Sequence, residues 1–231
     1  MGYVRGIMDA MNQVAVRIFV GGVRPLADSG KLSGIFKLPV QGPVHLGPEG
    51  FDGDVQADRR VHGGPDKAVQ LFPAAHYAGL EALFPVLRGS LGAGAIGENL
   101  SCEGLDESGV RVGDVWRLGE ALLQVCQPRN PCWKIDEKLG CPGVAAAIAQ
   151  SRRTGWYWRV LRTGRVGPGD ALELHDAGDP ALRLDAMLEL VQREHPPLED
   201  LQRLARAPAI AQNWRRKIEQ RIAWLREQGR G

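Results

Sequence analysis

The 231-residue chain changes character near residue 180, and that change limits what it can fold into. Before it, Gly and Pro recur often and the apolar runs between them are short: VAVRIFVGGV (14–23), KAVQLF (67–72), VGDVWRLG (112–119) and ALLQVCQ (121–127). Such runs, bounded by turn-rich stretches such as GPEGFDGD and VHGGPD, read as strands. Their close spacing suits a barrel or folded sheet rather than an alternating βαβ array. VRVGDVWRLGEALLQV (110–125) reads as two strands joined around Leu118–Glu120. Two helical stretches interrupt the strands. AAHYAGLEALFP (74–85) places Tyr77, Leu80 and Phe84 on one face. PGVAAAIAQ (142–150) is Ala-rich, with Pro142 suited to a first helical turn. After residue 180 the period becomes helical. Leu184, Met187, Leu188 and Val191 follow i, i+3, i+4, i+7, and HPP then ends that helix. Leu198, Leu201, Leu204 and Ala205 mark a second helix, and Ile210, Trp214, Ile218, Ile222 and Leu225 a third. Three short helices hold too little core to stand alone, so they are expected to pack on the main domain or a partner. The predicted organisation is a loose N-terminus over 1–14, a mainly β domain with some α over 15–178, and a small three-helix bundle over 181–228.

Composition narrows the class without naming a partner. Hydrophobic content of 44%, charged content of 24% and a net charge of +2 are ordinary for a soluble globular protein. No window approaches the length of apolar chain that spans a bilayer, and the N-terminus lacks a signal core, so a cytoplasmic location is expected. The four cysteines, Cys102, Cys126, Cys132 and Cys141, form no CxxC pair and are expected to stay reduced. The spacings of Cys126, Cys132 and Cys141 fit no common zinc pattern. Residues 201–231 hold eight Arg and Lys against Glu219 and Glu227, which gives 8 − 2 = +6. That basic face suits either plain solvation or an acidic electron donor, and nucleic acid is not expected. Trp156 and Trp158 share one face of a strand and are expected beneath the helical extension or in a dimer contact.

Three stretches concentrate chemistry. In DGDVQADRRVHGGPDKAV (52–69), Gly63 and Gly64 permit positive φ and close backbone approach, and His62 and Lys67 flank the turn with donors. A solvated surface turn is the plain alternative. In GAIGENLS (94–101), Glu98 and Asn99 stand among apolar residues, placed either to orient a ligand or to satisfy buried backbone. In QPRNPCWKID (127–136), two prolines stiffen the chain around Arg129 and Asn130 and then present Cys132. Arg129 and Lys134 supply cations near a thiol whose ionised form is the nucleophile and metal ligand. A buried, inert cysteine is the plain alternative.

HGG, GEN and QPR-x-PC in this order, together with RTGWYWRVLRTGRV (153–166), resemble the MOSC domain, the molybdenum cofactor sulfurase C-terminal domain, in its YiiM-like subgroup with three C-terminal helices. The resemblance covers nearly the whole chain after about residue 14. It implies a β-barrel-like fold that binds a pterin-based molybdenum cofactor. It implies reduction of N-hydroxylated compounds, R-NHOH to R-NH2, by oxygen-atom transfer at molybdenum. Cys132 is the implied molybdenum ligand. Lys37, His62, Gly63, Gly64, Lys67, Arg129 and Asn130 are the implied holders of phosphate and pterin, with Glu98 and Asn99 orienting pterin or backbone and His62 a proton shuttle. No GxGxxG follows a strand, so electrons are expected from a separate reductase. Two other readings stand beside this one: a sulfur carrier forming a persulfide on Cys132, and a non-catalytic cofactor-binding or interaction module.

Overall fold

The computed structural model describes residues 13–58 and 63–229 of the chain. Seven strands close a barrel: β1 (Gln13–Val20), β2 (Val69–Pro73), β3 (Leu100–Cys102), β4 (Val115–Leu118), β5 (Ala121–Pro128), β6 (Trp156–Arg162) and β7 (Ala171–Asp176). Around the ring the order is β7-β4-β5-β6-β2-β3-β1, and β1 returns to β7 with Val14 opposite Leu172. The first strand begins at Gln13, two residues earlier than the expected domain start. Strands β2 and β3 run parallel; the other pairs around the ring are antiparallel. A parallel pair needs a crossover, here the excursion through α1 (His76–Leu83). The β4–β5 hairpin turns at Gly119–Glu120, as its sequence suggests, with Leu118 opposite Ala121 and Gly119 at φ +55°.

Strand alternation decides where side chains go. On β2, Val69 and Leu71 enter the barrel core with Leu123, Trp156 and Trp158. Phe72 faces outward and packs with Tyr77, Leu80, Val144 and Ile148 beneath α1 and α3 (Val144–Ser151), which form a second apolar core. Trp156 and Trp158 are fully buried, and Trp158 meets Trp116 edge-on at 6.3 Å. The period of two aims both indoles into the barrel and turns Tyr157 outward; fully buried, they form no dimer contact, and the cluster they join takes in Trp214 and Ile218 of the helical extension. A register shift between Val125 and Gln127 bulges β5 just before Pro128. Such bulges kink a strand and re-aim the chain beyond them, here the QPRNPC segment.

The C-terminal helices are α4 (Leu184–Gln192), α5 (Leu198–Arg206) and α6 (Gln212–Glu227). Their apolar faces, including Leu184, Leu201, Trp214 and Ile218, join the same core cluster as Val110 and Val112 of the barrel. Backbone bonds tie the two parts: Val112 N–H to Leu182 O (2.9 Å), Leu184 N–H to Val110 O (3.0 Å) and Ala211 N–H to Cys126 O (2.9 Å). Part of the basic face is structural rather than solvated. Arg215 donates to Ala205 O (2.6 Å) and Ala207 O (2.8 Å), and Arg221 donates to the carbonyls of Val191 and Arg193. No helix among the described residues is long and apolar enough to cross a membrane.

Candidate functional site

The QPRNPC segment forms one wall of an open cleft of about 600 Å³ on the outside of the barrel. Strand β5 ends at Pro128, and Arg129 N–H bonds Gly155 O (3.0 Å) at the start of β6. The Arg129 side chain is buried. Its Nη1 donates to Gln70 Oε1 (3.1 Å) on β2 and its Nη2 to Ile96 O (2.8 Å). One planar fork thus joins three segments of the wall. Cys132 follows Pro131, half-buried and lining the cleft. A short helix, α2 (Lys134–Leu139), starts two residues later, with Ile135 N–H on Cys132 O (3.0 Å). The other three cysteines are buried, and burial pushes the Cys102 thiol up to about 12 and raises that of Cys126 as well.

The opposite wall centres on Asp54, whose side chain is 1% exposed. It pairs with Lys37 Nζ and accepts Asn99 Nδ2–H (2.9 Å) and Gly21 N–H (3.0 Å). Asn99 Oδ1 accepts Gln70 N–H (3.1 Å) and its Nδ2 also reaches Phe19 O (3.2 Å). Burial holds the Lys37 ammonium below its usual range, and Asp54 works against that shift. Glu98 lies one layer behind, fully buried, its Oε1 accepting Tyr77 O–H and Gly94 N–H, each at 2.5 Å. Burial, then Glu98, pushes the Tyr77 hydroxyl well above its ordinary value. These bonds fix the loop that offers Ile96 O to Arg129. Gly97 sits in that loop at φ +84°, where an added Cβ would stand 2.5 Å from Ile35 Cγ1. Gly97→Ala is expected to destabilise the fold by roughly 1–3 kcal/mol in a denaturant titration. An unchanged midpoint would contradict this packing.

Lys138 on α2 donates to Ile35 O (3.1 Å) and Gly94 O (3.0 Å). Burial draws its pKa from 10.5 down to about 8; Glu98 opposes the shift, and Arg129 and Lys37 add to it. Between these two values the unfolded chain keeps a proton that the folded chain has released. Stability from this group therefore rises with pH from about 8 to 10.5, while below pH 8 the charged, buried form carries its full penalty. Lys138→Met is expected to remove roughly 1–3 kcal/mol of that rise. A variant with the wild-type pH slope across this window would refute the assignment.

Of the residues singled out in the sequence, the cleft brings together Lys37, Lys67, Asn99, Arg129 and Cys132. Gly63 and Gly64 line a neighbouring crevice that shares Lys67. Asn130 is exposed and does not line the cleft, because the chain leaving β5 buries Arg129 and turns the next side chain outward. His62 lies outside the described residues. Sequence reading missed Asp54, Gln70 and Tyr157 as cleft residues. Burial raises the Tyr157 hydroxyl, with Arg129 opposing and Cys132 adding. The charged side chains of the cleft, among the described residues, are Lys37, Lys67, Arg129 and Lys134 against Asp54. Among the described residues no three His, Cys, Asp or Glu side chains converge on one point.

A family model described as the MOSC domain matches residues 58–173, and one described as YiiM-like, 3-alpha helix domain matches 181–223. The uncharacterized protein YflK of Bacillus subtilis (strain 168) is 41% identical over 183 residues, 79% of this chain and 81% of that protein. A Gibberella moniliformis protein named Reductase is 33% identical over 163 residues, 70% of this chain but only 29% of its own length. The crystal structure of YiiM from Geobacillus stearothermophilus superposes with a TM-score of 0.77 at 33% identity, covering 91% of this chain and 99% of that one.

Proposed function

Because the chain belongs to the MOSC family and carries the YiiM-like helical extension, we propose that it is a molybdenum-cofactor-dependent reductase of N-hydroxylated compounds. The observation that carries this reading is a half-buried thiol, Cys132, opening into a cleft whose described residues include Lys37, Lys67, Arg129 and Lys134 against Asp54. The residues fit the group. A soft thiolate suits a metal that arrives already held by dithiolene sulfurs. Lys37, Lys67 and Arg129 would hold phosphate and pterin oxygens through charge-assisted hydrogen bonds. When bound, the cofactor supplies two-electron, oxygen-accepting chemistry, and the protein supplies position, protons and solvent control.

The net reaction is R-NHOH + 2e⁻ + 2H⁺ → R-NH2 + H2O. Arg129, fixed at Gln70 and Ile96, keeps the Cys132 segment in place for it. Tyr157 lines the same cleft, and its hydroxyl would donate a hydrogen bond to the oxygen that leaves nitrogen. The chain carries no flavin or nicotinamide fingerprint, so a separate reductase would deliver the electrons. The relative named Reductase, most of which lies outside the matched unit, supports an oxidoreductase role. A persulfide carrier would use the same thiol, but it has no need of the lysines and arginine that share the cleft with it. The test is oxidation of chemically reduced methyl viologen by cofactor-loaded protein, with benzamidoxime and an N-hydroxylated purine as substrates. Turnover of either supports the proposal, and loaded protein that turns over neither contradicts it.

A further inference from the structure

We infer that the crevice beside the cleft is a phosphate-ester site completed by the helical extension. It is an open groove between Gly63, Gly64 and Lys67 on the barrel side and Asn213 and Arg216 of α6. The carboxylate within it, Asp66, is already engaged at both oxygens. Oδ1 accepts Arg159 Nε (2.8 Å) and Nη2 (2.6 Å), and Oδ2 accepts Gln212 N–H (3.1 Å). Arg216 and the adjacent Lys217 are exposed and pair with no carboxylate among the described residues. After burial, the charge of Lys217 is the largest influence lowering the Lys67 ammonium. Cations gathered at one crevice repel each other, and an anion seated among them relieves that repulsion.

Two features of the backbone agree. Gly64 holds φ +90° with nothing within 4 Å of an added Cβ, so the turn conformation rather than packing requires glycine there. A glycine there leaves the backbone open to the close approach of a ligand. The start of α6 is anchored by Ala211 N–H on Cys126 O and Gln212 N–H on Asp66, which fixes Asn213 and Arg216 against the barrel. Lys67 lines both the crevice and the cleft. A molecule with its phosphate in the crevice therefore has the cleft that Cys132 lines as its neighbour across Lys67. That phosphate belongs either to the cofactor or to a nucleotide substrate; only this choice rests on the reductase reading.

The experiment is calorimetric titration of pyrophosphate into the full chain, prepared both cofactor-free and cofactor-loaded. Cofactor-free protein is expected to bind, and Arg216→Glu and Lys217→Glu are each expected to weaken binding about tenfold or more. Arg226→Glu, in the last turn of the same helix, is expected to stay within about twofold. Thermal melts matching wild type show that the exposed substitutions leave the fold intact. If loaded protein no longer binds pyrophosphate, the cofactor's own phosphate occupies the crevice; if it still binds, the site serves a phosphorylated substrate. Cofactor-free protein that does not bind, or binding indifferent to both Arg216→Glu and Lys217→Glu, overturns the site whatever becomes of the reductase reading.

Discussion

Cys132→Ala, loaded in a host that makes molybdenum cofactor, is expected to reduce N-hydroxylated substrates about 100-fold more slowly than wild type, or worse. The loss should appear in kcat with the artificial reductant as well as with a protein donor, because the proposed function puts the thiol at the reacting centre rather than at a docking surface. Cys102→Ala and Cys126→Ala remove buried thiols outside the cleft. They are expected to cost stability through the cavities they leave and to spare kcat. Equal kcat in Cys132→Ala and wild type would remove the thiol from the mechanism.

Asp54→Ala is expected to cost about 3–5 kcal/mol of folding stability. The carboxylate is 1% exposed and its partner Lys37 is 7% exposed, so the substitution strands a buried ammonium. It also leaves Asn99 Nδ2 and Gly21 N–H without this acceptor. A double replacement, Asp54→Leu with Lys37→Met, removes both charges and is expected to recover most of the loss, because breaking a buried pair costs far more than exchanging it for apolar groups. Both are read from urea unfolding midpoints. A near-neutral Asp54→Ala, or a double variant no better than the single one, would show that the pair does not organise this wall.

Much of the site was legible because its chemistry is local in sequence. Pro128, Arg129, Pro131 and Cys132 stand within five positions, and the alternation of ALLQVCQ predicts the strand that delivers them. Gln70 also left a signal, as the one polar residue between the apolar positions of AVQLF, and alternation sets it opposite Val69 and Leu71. In WYW the tryptophans are the conspicuous residues, yet the same alternation that buries them sends Tyr157 to the cleft. Asp54 was not legible. Its charge reads as solvent-facing in DGD, and its partners stand 17 and 45 residues away, a pairing that only the closed barrel makes. Helix α2 escaped for another reason: six residues are less than two turns, too few for a period to show. The role of Asp66 in anchoring α6 spans 146 residues and was equally out of reach.

The central claim is that this cleft holds a molybdenum cofactor through Cys132. The most direct measurement is molybdenum per chain by elemental mass spectrometry, on wild type and Cys132→Ala purified from a cofactor-competent host. The account predicts near-stoichiometric molybdenum in wild type and reduced retention in Cys132→Ala. Wild-type protein that stays free of molybdenum while the host makes ample cofactor would contradict it.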